Sequence, residues 1–243
     1  VGFLTADRIA MSIGIPRESP FRIQCGIIHV LQEASGAAGH VYMPLDDVRA
    51  SAMRILAAPE ELVGNALKEL ALSRDIVIDD VDGVKAVYTS AMFNAETDVA
   101  YRLSRLARAA SPMDAGDVDK RIDEFEHEQG IKFSPEQRSA VVMAVTRGMV
   151  VITGGPGTGK TTIIKCILSL LPGDDEVALC APSGRAAKRM SEATGAEART
   201  IHRLLKFGGE DGDEFGHNED NPLEVEALIC DVMSMVDIML MRS

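Results

Sequence analysis

The stretch GGPGTGKT, Gly154 to Thr161, constrains the fold of this chain more than any other feature. It fits the pattern G-x-x-x-x-G-K-[ST], follows an apolar run of strand length and opens a run typical of a helix. Glycines at these positions let the backbone curl until its N–H groups face phosphate oxygens, and the positive end of the helix adds to the attraction. The pattern therefore predicts an α/β domain with a phosphate-binding loop.

The same motif assigns expected roles to individual side chains. We expect Lys160 to reach the β- and γ-phosphates of a nucleotide and the Thr161 hydroxyl to ligate Mg²⁺. Asp231 follows the apolar run ALIC and is the expected metal-holding acid at the tip of a neighbouring strand. ATP and Mg²⁺ are thus the predicted cofactors, with Lys160 and Asp231 as predicted catalytic residues. The predicted nucleotide-binding residues are Gln137, Gly155, Pro156, Gly157, Thr158, Gly159, Lys160, Thr161 and Thr162.

Gln137 has two possible roles. Ser134 and Pro135 are typical of the start of a helix, and a glutamine three residues after the N-cap forms a capping-box pattern with it. Its position shortly before the phosphate loop also suits a contact to adenine. Both interpretations stay open at the level of the sequence.

Strands and helices alternate around the loop. MVVITG, EVALCAP and ALICD are continuous apolar runs, as expected for buried parallel strands. Upstream, residues 1–35 and 46–74 have helical patterns, and IVIDDVDGVKAVYTSAMF indicates two strands around an Asp82-Gly83 turn. A helix AETDVAYRLSRLARAA, a linker SPMDAGDVD and an acidic helix VDKRIDEFEHEQG with a solvated face are expected to follow.

Charge is unevenly distributed along the chain. The formal net charge of -12 excludes a generally basic protein but not a local basic face. Between Arg185 and Lys206, six Lys or Arg residues stand against two Glu. The sequence SGR at 183–185 also begins a predicted helix whose N–H groups could hold a phosphate. We therefore expect this segment to contact a nucleic-acid backbone, although a solvated helix face would look similar.

Other features exclude further classes of site. The four cysteines have no metal-binding spacing and are expected to be buried free thiols, consistent with a cytoplasmic protein. GGEDGDEFGHNEDNP fails the EF-hand register because Phe215 stands where an oxygen ligand is needed, so a surface loop or hairpin is expected. No apolar run has membrane-spanning length, and no membrane partner is expected. The start has neither an initiator Met nor a signal-peptide pattern, which suggests a piece of a longer protein.

Five motifs together resemble one known family. FSPEQRSAV, VVITGGPGTGKTT, ALCAPSGRAAKRM, RTIHRLL and ALICDVMSMVD have the order and character of the RecD-like DNA helicases of superfamily 1, relatives of the exodeoxyribonuclease V alpha subunit. GFLTADRIAMSIGIP is similar to the second half of a helix-hairpin-helix in their N-terminal region. The resemblance covers nearly the whole chain.

The resemblance implies an ATP-dependent 5′-to-3′ helicase that acts on single-stranded DNA and duplex junctions, in DNA repair and recombination. It implies a partial RecA-like P-loop NTPase domain at 117–243, preceded by a partial helix-hairpin-helix at 1–45 and a winged-helix-like region at 46–110. Gln137 would contact adenine. The residues that resemble DNA-contacting motifs are Ser183, Gly184, Arg185, Lys188, Thr200 and His202.

The chain departs from the family in two respects. Val232 stands where the family has a glutamate that orients the attacking water, which predicts impaired hydrolysis. The chain also stops soon after this motif, before the second RecA-like domain and before the strand that would lie between the phosphate-loop strand and the Asp231 strand. Two alternatives remain open: a non-catalytic module that binds ATP and DNA, and a P-loop ATPase of the AAA+ kind.

Overall fold

The chain divides into two compact units. The computed structural model describes residues 2–109, 115–171, 176–208 and 215–243. One unit comprises Val1–Val99 with Asp237–Arg242, and the other comprises Ala100–Val236 with Ser243. The helices are α1 Phe3–Ser12, α2 Pro20–Ala38, α3 Leu45–Leu56, α4 Glu60–Leu72, α5 Ser90–Ala109, α6 Ala115–Gln129, α7 Pro135–Thr146, α8 Lys160–Leu170, α9 Gly184–Thr194, α10 Ile201–Leu204 and α11 Ile238–Arg242. The strands are β1 Tyr42–Pro44, β2 Ile76–Val81, β3 Val84–Thr89, β4 Val177–Ala181, β5 Ala198–Thr200 and β6 Ala227–Cys230.

The first unit packs helices against a small antiparallel sheet of order β1-β3-β2. Its core joins Ile27 of α2, Val48 of α3, Val63 of α4 and Val87 of β3, none of which is exposed. Helices on both sides of position 45 thus share one core. The predicted division of the chain into regions 1–45, 46–110 and 117–243 stays a prediction.

The hairpin predicted around Asp82-Gly83 is confirmed. Both turn residues have positive φ, 51° and 83°, as a tight two-residue turn between twisted strands requires. The Gly83 N–H also donates to Oδ1 of Asp80 at 2.9 Å. This turn sets the register in which Val81 faces Val84.

The second unit has α/β architecture with a parallel sheet of order β5-β4-β6, which confirms the predicted fold class. Helices α6, α7 and α8 enclose its core, where Val118, Ile122, Val141 and Cys166 are fully buried. The acidic helix α6 therefore has a solvated face, as expected, and a second face that is buried in this core.

The strand predicted at MVVITG is wrong: residues 149–155 are not assigned to a strand. A strand requires a partner for its backbone groups, and in the described ranges nothing pairs with this segment or with the second edge of β6. Val151 is 72% exposed and Leu228 of β6 is 52% exposed. The segment and β6 thus contain apolar residues suited to a sheet interior, but the described residues include no strand that pairs with them there.

Three smaller expectations also need correction. Cys25 is exposed rather than buried, because it lies on the outer side of α2; Cys166 and Cys180 are buried and Cys230 is half-buried. Helix α5 begins at Ser90, earlier than the helix predicted from Ala95. Residues 111–114 of the predicted linker lie outside the described residues, and the remainder belongs to α6.

Candidate nucleotide-binding and DNA-binding site

The phosphate loop connects residues 149–153 to α8. Gly157 and Gly159 have φ of 75° and 77°, a left-handed conformation that a side chain disfavours. A Cβ added at Gly155 or Gly157 would meet nothing within 4 Å, so this backbone faces open space. The loop therefore leads through left-handed glycines with open space beside them into a helix N-terminus, a position suited to the phosphates of a nucleotide.

Lys160 extends its side chain back across the loop. Its Nζ donates to the Gly154 carbonyl oxygen at 2.6 Å and to the Gly155 carbonyl oxygen at 2.7 Å. Thr158 Oγ1 donates to the same Gly155 oxygen at 2.9 Å. The structure thus brings the predicted lysine to the centre of the loop, where an ammonium group can attract phosphate.

Gln137 joins α7 to the loop. Its Oε1 accepts the Ser134 N–H at 2.8 Å and its N–H donates to Ser134 Oγ at 3.3 Å, so the capping box is confirmed. Its Nε2 donates to the Thr158 carbonyl oxygen at 3.0 Å. A primary amide has two N–H donors and an oxygen with two lone pairs, so one donor and one acceptor site remain for a base edge. The adenine contact stays a prediction, compatible with the capping role.

Asp231 lies directly after β6. Its N–H donates to the Cys180 carbonyl oxygen at 2.9 Å, which extends the β4–β6 pairing by one residue. Its Oδ1 accepts the Val232 N–H at 2.8 Å. Thr161 and Asp231 share no hydrogen bond in the described part of the chain, so their joint role as Mg²⁺ ligands stays a prediction.

Val232 has an unusual backbone conformation. Its φ of 57° and ψ of 42° are in the left-handed region, where a β-branched residue is a clear outlier. Such strain costs on the order of 1–3 kcal/mol and tends to be found at functional sites. Its carbonyl oxygen accepts the Met235 N–H at 3.0 Å, which starts a short 3₁₀ turn, Met233–Met235. The position where the family has a glutamate is therefore held at a sharp corner after the strand.

The predicted DNA-contacting residues lie on two helix starts. Ser183 caps α9 and its Oγ accepts the Ala186 N–H at 3.3 Å, while Arg185, the second residue of α9, is exposed. Thr200 caps α10 in the same way, through the Arg203 N–H at 3.2 Å. Both residues were predicted to contact DNA, and each side chain already accepts one N–H of its own helix.

Part of the basic excess is neutralised within the unit. Lys188 pairs with Glu192 at 3.8 Å and Arg199 pairs with Glu197 at 2.9 Å. The hydrogen bond from Arg199 lowers the pKa of Glu197 below its usual value. The cations of this segment that form no ion pair among the described residues are Arg185, Arg189, Arg203 and Lys206. Lys188 is consequently a weaker candidate than Arg185.

An aromatic cluster beside α10 was missed from the sequence. The His202 ring lies 5.4 Å from the ring of Phe207 and 5.9 Å from that of Phe215, and the two phenylalanine rings are 4.8 Å apart. Phe207 and Phe215 also form an isolated antiparallel bridge, as the expected hairpin requires, although residues 209–214 lie outside the described ranges. The available signal was a pair of phenylalanines flanking a polar loop.

Nowhere in the described ranges do three or more His, Cys, Asp or Glu side chains gather closely enough to hold a metal ion. A Mg²⁺ at the loop would therefore depend on Thr161, Asp231 and the oxygens of its own nucleotide. The described helices also include none with the length and apolar character needed to cross a membrane.

Comparison with known proteins points to one family. A family model for the ATP-dependent RecD2 DNA helicase HHH domain matches residues 1–42, and a model for an AAA domain matches residues 137–243. The ATP-dependent RecD2 DNA helicase of Deinococcus radiodurans is 33% identical over 253 aligned residues, which cover 100% of this chain and 34% of that protein.

Two other matches cover less than half of this chain. The RecBCD enzyme subunit RecD of Mycolicibacterium smegmatis is 36% identical over 130 residues, 44% of this chain and 24% of that protein. The corresponding subunit of Haemophilus influenzae is 31% identical over 147 residues, 47% of this chain and 23% of that protein. The chain thus spans about a third or less of the length of these relatives.

Proposed function

The chain belongs to the RecD-like family of DNA helicases, and on this premise we propose that it binds ATP–Mg²⁺ at the phosphate loop and single-stranded DNA at the exposed cations around α9. Within a full-length protein, this region would help to couple ATP hydrolysis to 5′-to-3′ translocation and to unwinding at duplex junctions. DNA repair and recombination are the processes that such an activity serves.

The hydrogen-bonded phosphate loop is the observation that carries the nucleotide proposal. The Gln137 side chain fixes the loop from one side, at Thr158, and Lys160 spans it from the other, at Gly154 and Gly155. These bonds fix three carbonyl oxygens of the loop and thereby the backbone whose N–H groups would receive phosphates, while Lys160 would turn from the carbonyl oxygens to the phosphates. Thr161 and Asp231 would hold the Mg²⁺, which would neutralise charge on the phosphates.

We propose further that a protein with Val232 at this site binds ATP but hydrolyses it slowly, so that the coupling of hydrolysis to translocation is impaired. A valine side chain has no acceptor to orient water for in-line attack. A positioned base typically contributes about 10²–10⁴-fold in rate. With Lys160 and Asp231 both present, the site keeps its means of binding a nucleotide but lacks the group that prepares water.

A second candidate function is a non-catalytic module in which ATP binding alone switches DNA affinity. Val232 is the observation that favours it. An ATPase of the AAA+ kind has support from the match to an AAA domain at residues 137–243. The helicase proposal accounts for more of the chain, because the relative from Deinococcus radiodurans also matches the first unit.

A pair of lysines on α8 provides the test of nucleotide binding. Lys160→Ala removes the ammonium at the centre of the loop, whereas Lys165→Ala removes the same charge from an exposed position one turn along the helix. In a titration with a fluorescent ATP analogue and Mg²⁺, we expect Lys160→Ala to bind at least about tenfold more weakly, since a charge-assisted contact is worth about 1.5–3 kcal/mol. Equal affinities for the two variants would overturn the site assignment.

A further inference from the structure

Two cysteines of the parallel sheet lie directly opposite each other. Cys180 of β4 and Cys230 of β6 are register partners. Cys230 also forms a weak hydrogen bond, which its thiol donates to the Asp231 carbonyl oxygen at 3.9 Å. Neither cysteine is part of a disulfide. Side chains of paired residues point to the same face of a sheet, so these two thiols are neighbours on one face.

The spacing of the strands is compatible with a bond between these sulfurs. Adjacent strands are about 4.8 Å apart, and disulfides join Cα atoms that are about 4.4–6.8 Å apart. Paired Cβ atoms in a sheet are about 4.5–5.5 Å apart, whereas a disulfide prefers about 3.5–4.5 Å. Closing the bond would therefore draw the ends of β4 and β6 together by up to about 1 Å.

The pair adjoins both halves of the candidate site. Cys230 immediately precedes Asp231, and the Cys180 carbonyl oxygen accepts the Asp231 N–H at 2.9 Å. In the other direction, β4 leads from Cys180 to Ser183, which caps α9. A movement of the two strand ends would thus displace the metal-holding carboxylate and the start of the basic helix together.

We propose that Cys180 and Cys230 are a modification site at which a peroxide forms a reversible disulfide between β4 and β6, and that this bond weakens nucleotide binding. Cys180 is 2% exposed and Cys230 is half-buried, so the peroxide reaches Cys230 first. The consequence for the nucleotide rests on the function proposed above, whereas the disulfide itself does not.

The chemistry balances with hydrogen peroxide as the oxidant. The sulfur of Cys230 attacks one peroxide oxygen, the O–O bond breaks, and one water leaves as the thiol becomes a sulfenic acid. The sulfur of Cys180 then attacks the Cys230 sulfur and displaces the hydroxyl, which leaves as a second water with the thiol proton. Two electrons pass from the two thiols to the peroxide. A strained bond of this kind is easily reduced again by a small-molecule thiol.

Peptide mapping of the 243-residue chain tests the bond. After treatment with hydrogen peroxide and alkylation of the remaining thiols, we expect one linked species that joins the peptides containing Cys180 and Cys230. Cys230→Ser and Cys230→Ala should abolish it, whereas Cys25→Ser should retain it. A Cys230 that overoxidises without linkage, or a linkage made through Cys25, would overturn the proposal.

A nucleotide titration tests the consequence. The oxidised chain should bind the Mg²⁺ complex of a fluorescent ATP analogue about fivefold or more weakly than the reduced chain, the lower end of typical coupling between sites. Added thiol should restore the affinity, and Cys230→Ser should be insensitive to peroxide. Unchanged affinity in a chain that carries the mapped bond would refute the coupling. A reduced chain that fails to bind the nucleotide would instead refute the function proposed above and leave the mapped bond standing.

Discussion

Alanine at position 159 should weaken nucleotide binding, because this glycine meets two separate constraints. Its φ of 77° is in the left-handed region, which costs a residue with a Cβ about 1–2 kcal/mol. The added Cβ would also stand 2.7 Å from Nε2 of Gln137, closer than a real contact allows. Gln137 must then move and release the Thr158 carbonyl oxygen, a hydrogen bond worth about 0.5–1.5 kcal/mol.

These two contributions set the size of the effect. Together they disfavour the phosphate-binding conformation of the loop by about 2–3 kcal/mol, which corresponds to a loss of affinity of up to about 100-fold. The assay is a titration of Gly159→Ala with the Mg²⁺ complex of a fluorescent ATP analogue. Gly64→Ala in α4 is the control, since Gly64 lies outside the loop, has no positive φ, and its added Cβ would meet nothing within 4 Å. We expect it to stay within about threefold of the parent chain.

A double-mutant cycle separates the two causes. In a Gln137→Ala background the close contact disappears, so Gly159→Ala should then cost only the backbone contribution of about 1–2 kcal/mol. The same loss in both backgrounds would show that Gln137 does not oppose the alanine. Equal effects of Gly159→Ala and Gly64→Ala on nucleotide affinity would refute the whole reasoning about the loop.

Two further predictions concern DNA binding and stability. Arg185→Ala should flatten the salt dependence of single-stranded DNA affinity by about 0.7 in logarithmic slope, the value for one lost phosphate contact; a slope no different from that of Lys165→Ala would remove α9 from the interface. Glu126→Gln should destabilise the second unit in thermal unfolding. The Glu126 carboxylate is buried and accepts hydrogen bonds from Lys132 at 2.5 Å and from the Phe133 N–H at 2.8 Å, which lower its pKa below the usual 4.5. A carboxyl group whose pKa is lower in the folded than in the unfolded chain stabilises the fold at pH values above its unfolded pKa. The difference in unfolding temperature between the parent chain and Glu126→Gln should therefore narrow as the pH falls below about 4.5. A difference in unfolding temperature that does not change with pH would show that the charge of Glu126 does not stabilise the fold.

Local features of the fold were predictable because their causes are local. The capping box of Ser134 and Gln137 involves residues three apart, and the structure contains both of its hydrogen bonds. The Asp82-Gly83 turn depends on two residues that accept positive φ. Ser183 at the start of α9 is a similar case. In each case the deciding contacts lie within one turn of the chain.

Features that depend on distant partners were not predictable. MVVITG has the composition of a buried strand, but a strand forms only where another strand pairs with it. The contact between Gln137 and Thr158 spans 21 residues, and sequence spacing alone did not indicate it. The register that places Cys180 opposite Cys230 is likewise a property of the sheet.

The left-handed conformation of Val232 was also not predictable from the sequence. Valine favours extended backbone, and the run DVMSMVD gives no signal of a left-handed residue. The resemblance to the helicase family identified the substitution, whereas the structure added the strained corner at which it lies. Neither observation alone indicates what the valine does to catalysis.

Steady-state ATPase activity with single-stranded DNA present tests the central claim most directly. The comparison is between a full-length helicase that contains this chain and its Val232→Glu variant. We expect the Val232 protein to bind ATP and DNA but to turn over about 10²–10⁴-fold more slowly than Val232→Glu. ATP affinity should be similar in both, because Lys160 and the loop are unchanged. Equal, brisk turnover by the two proteins would contradict the claim and show that another residue orients the water.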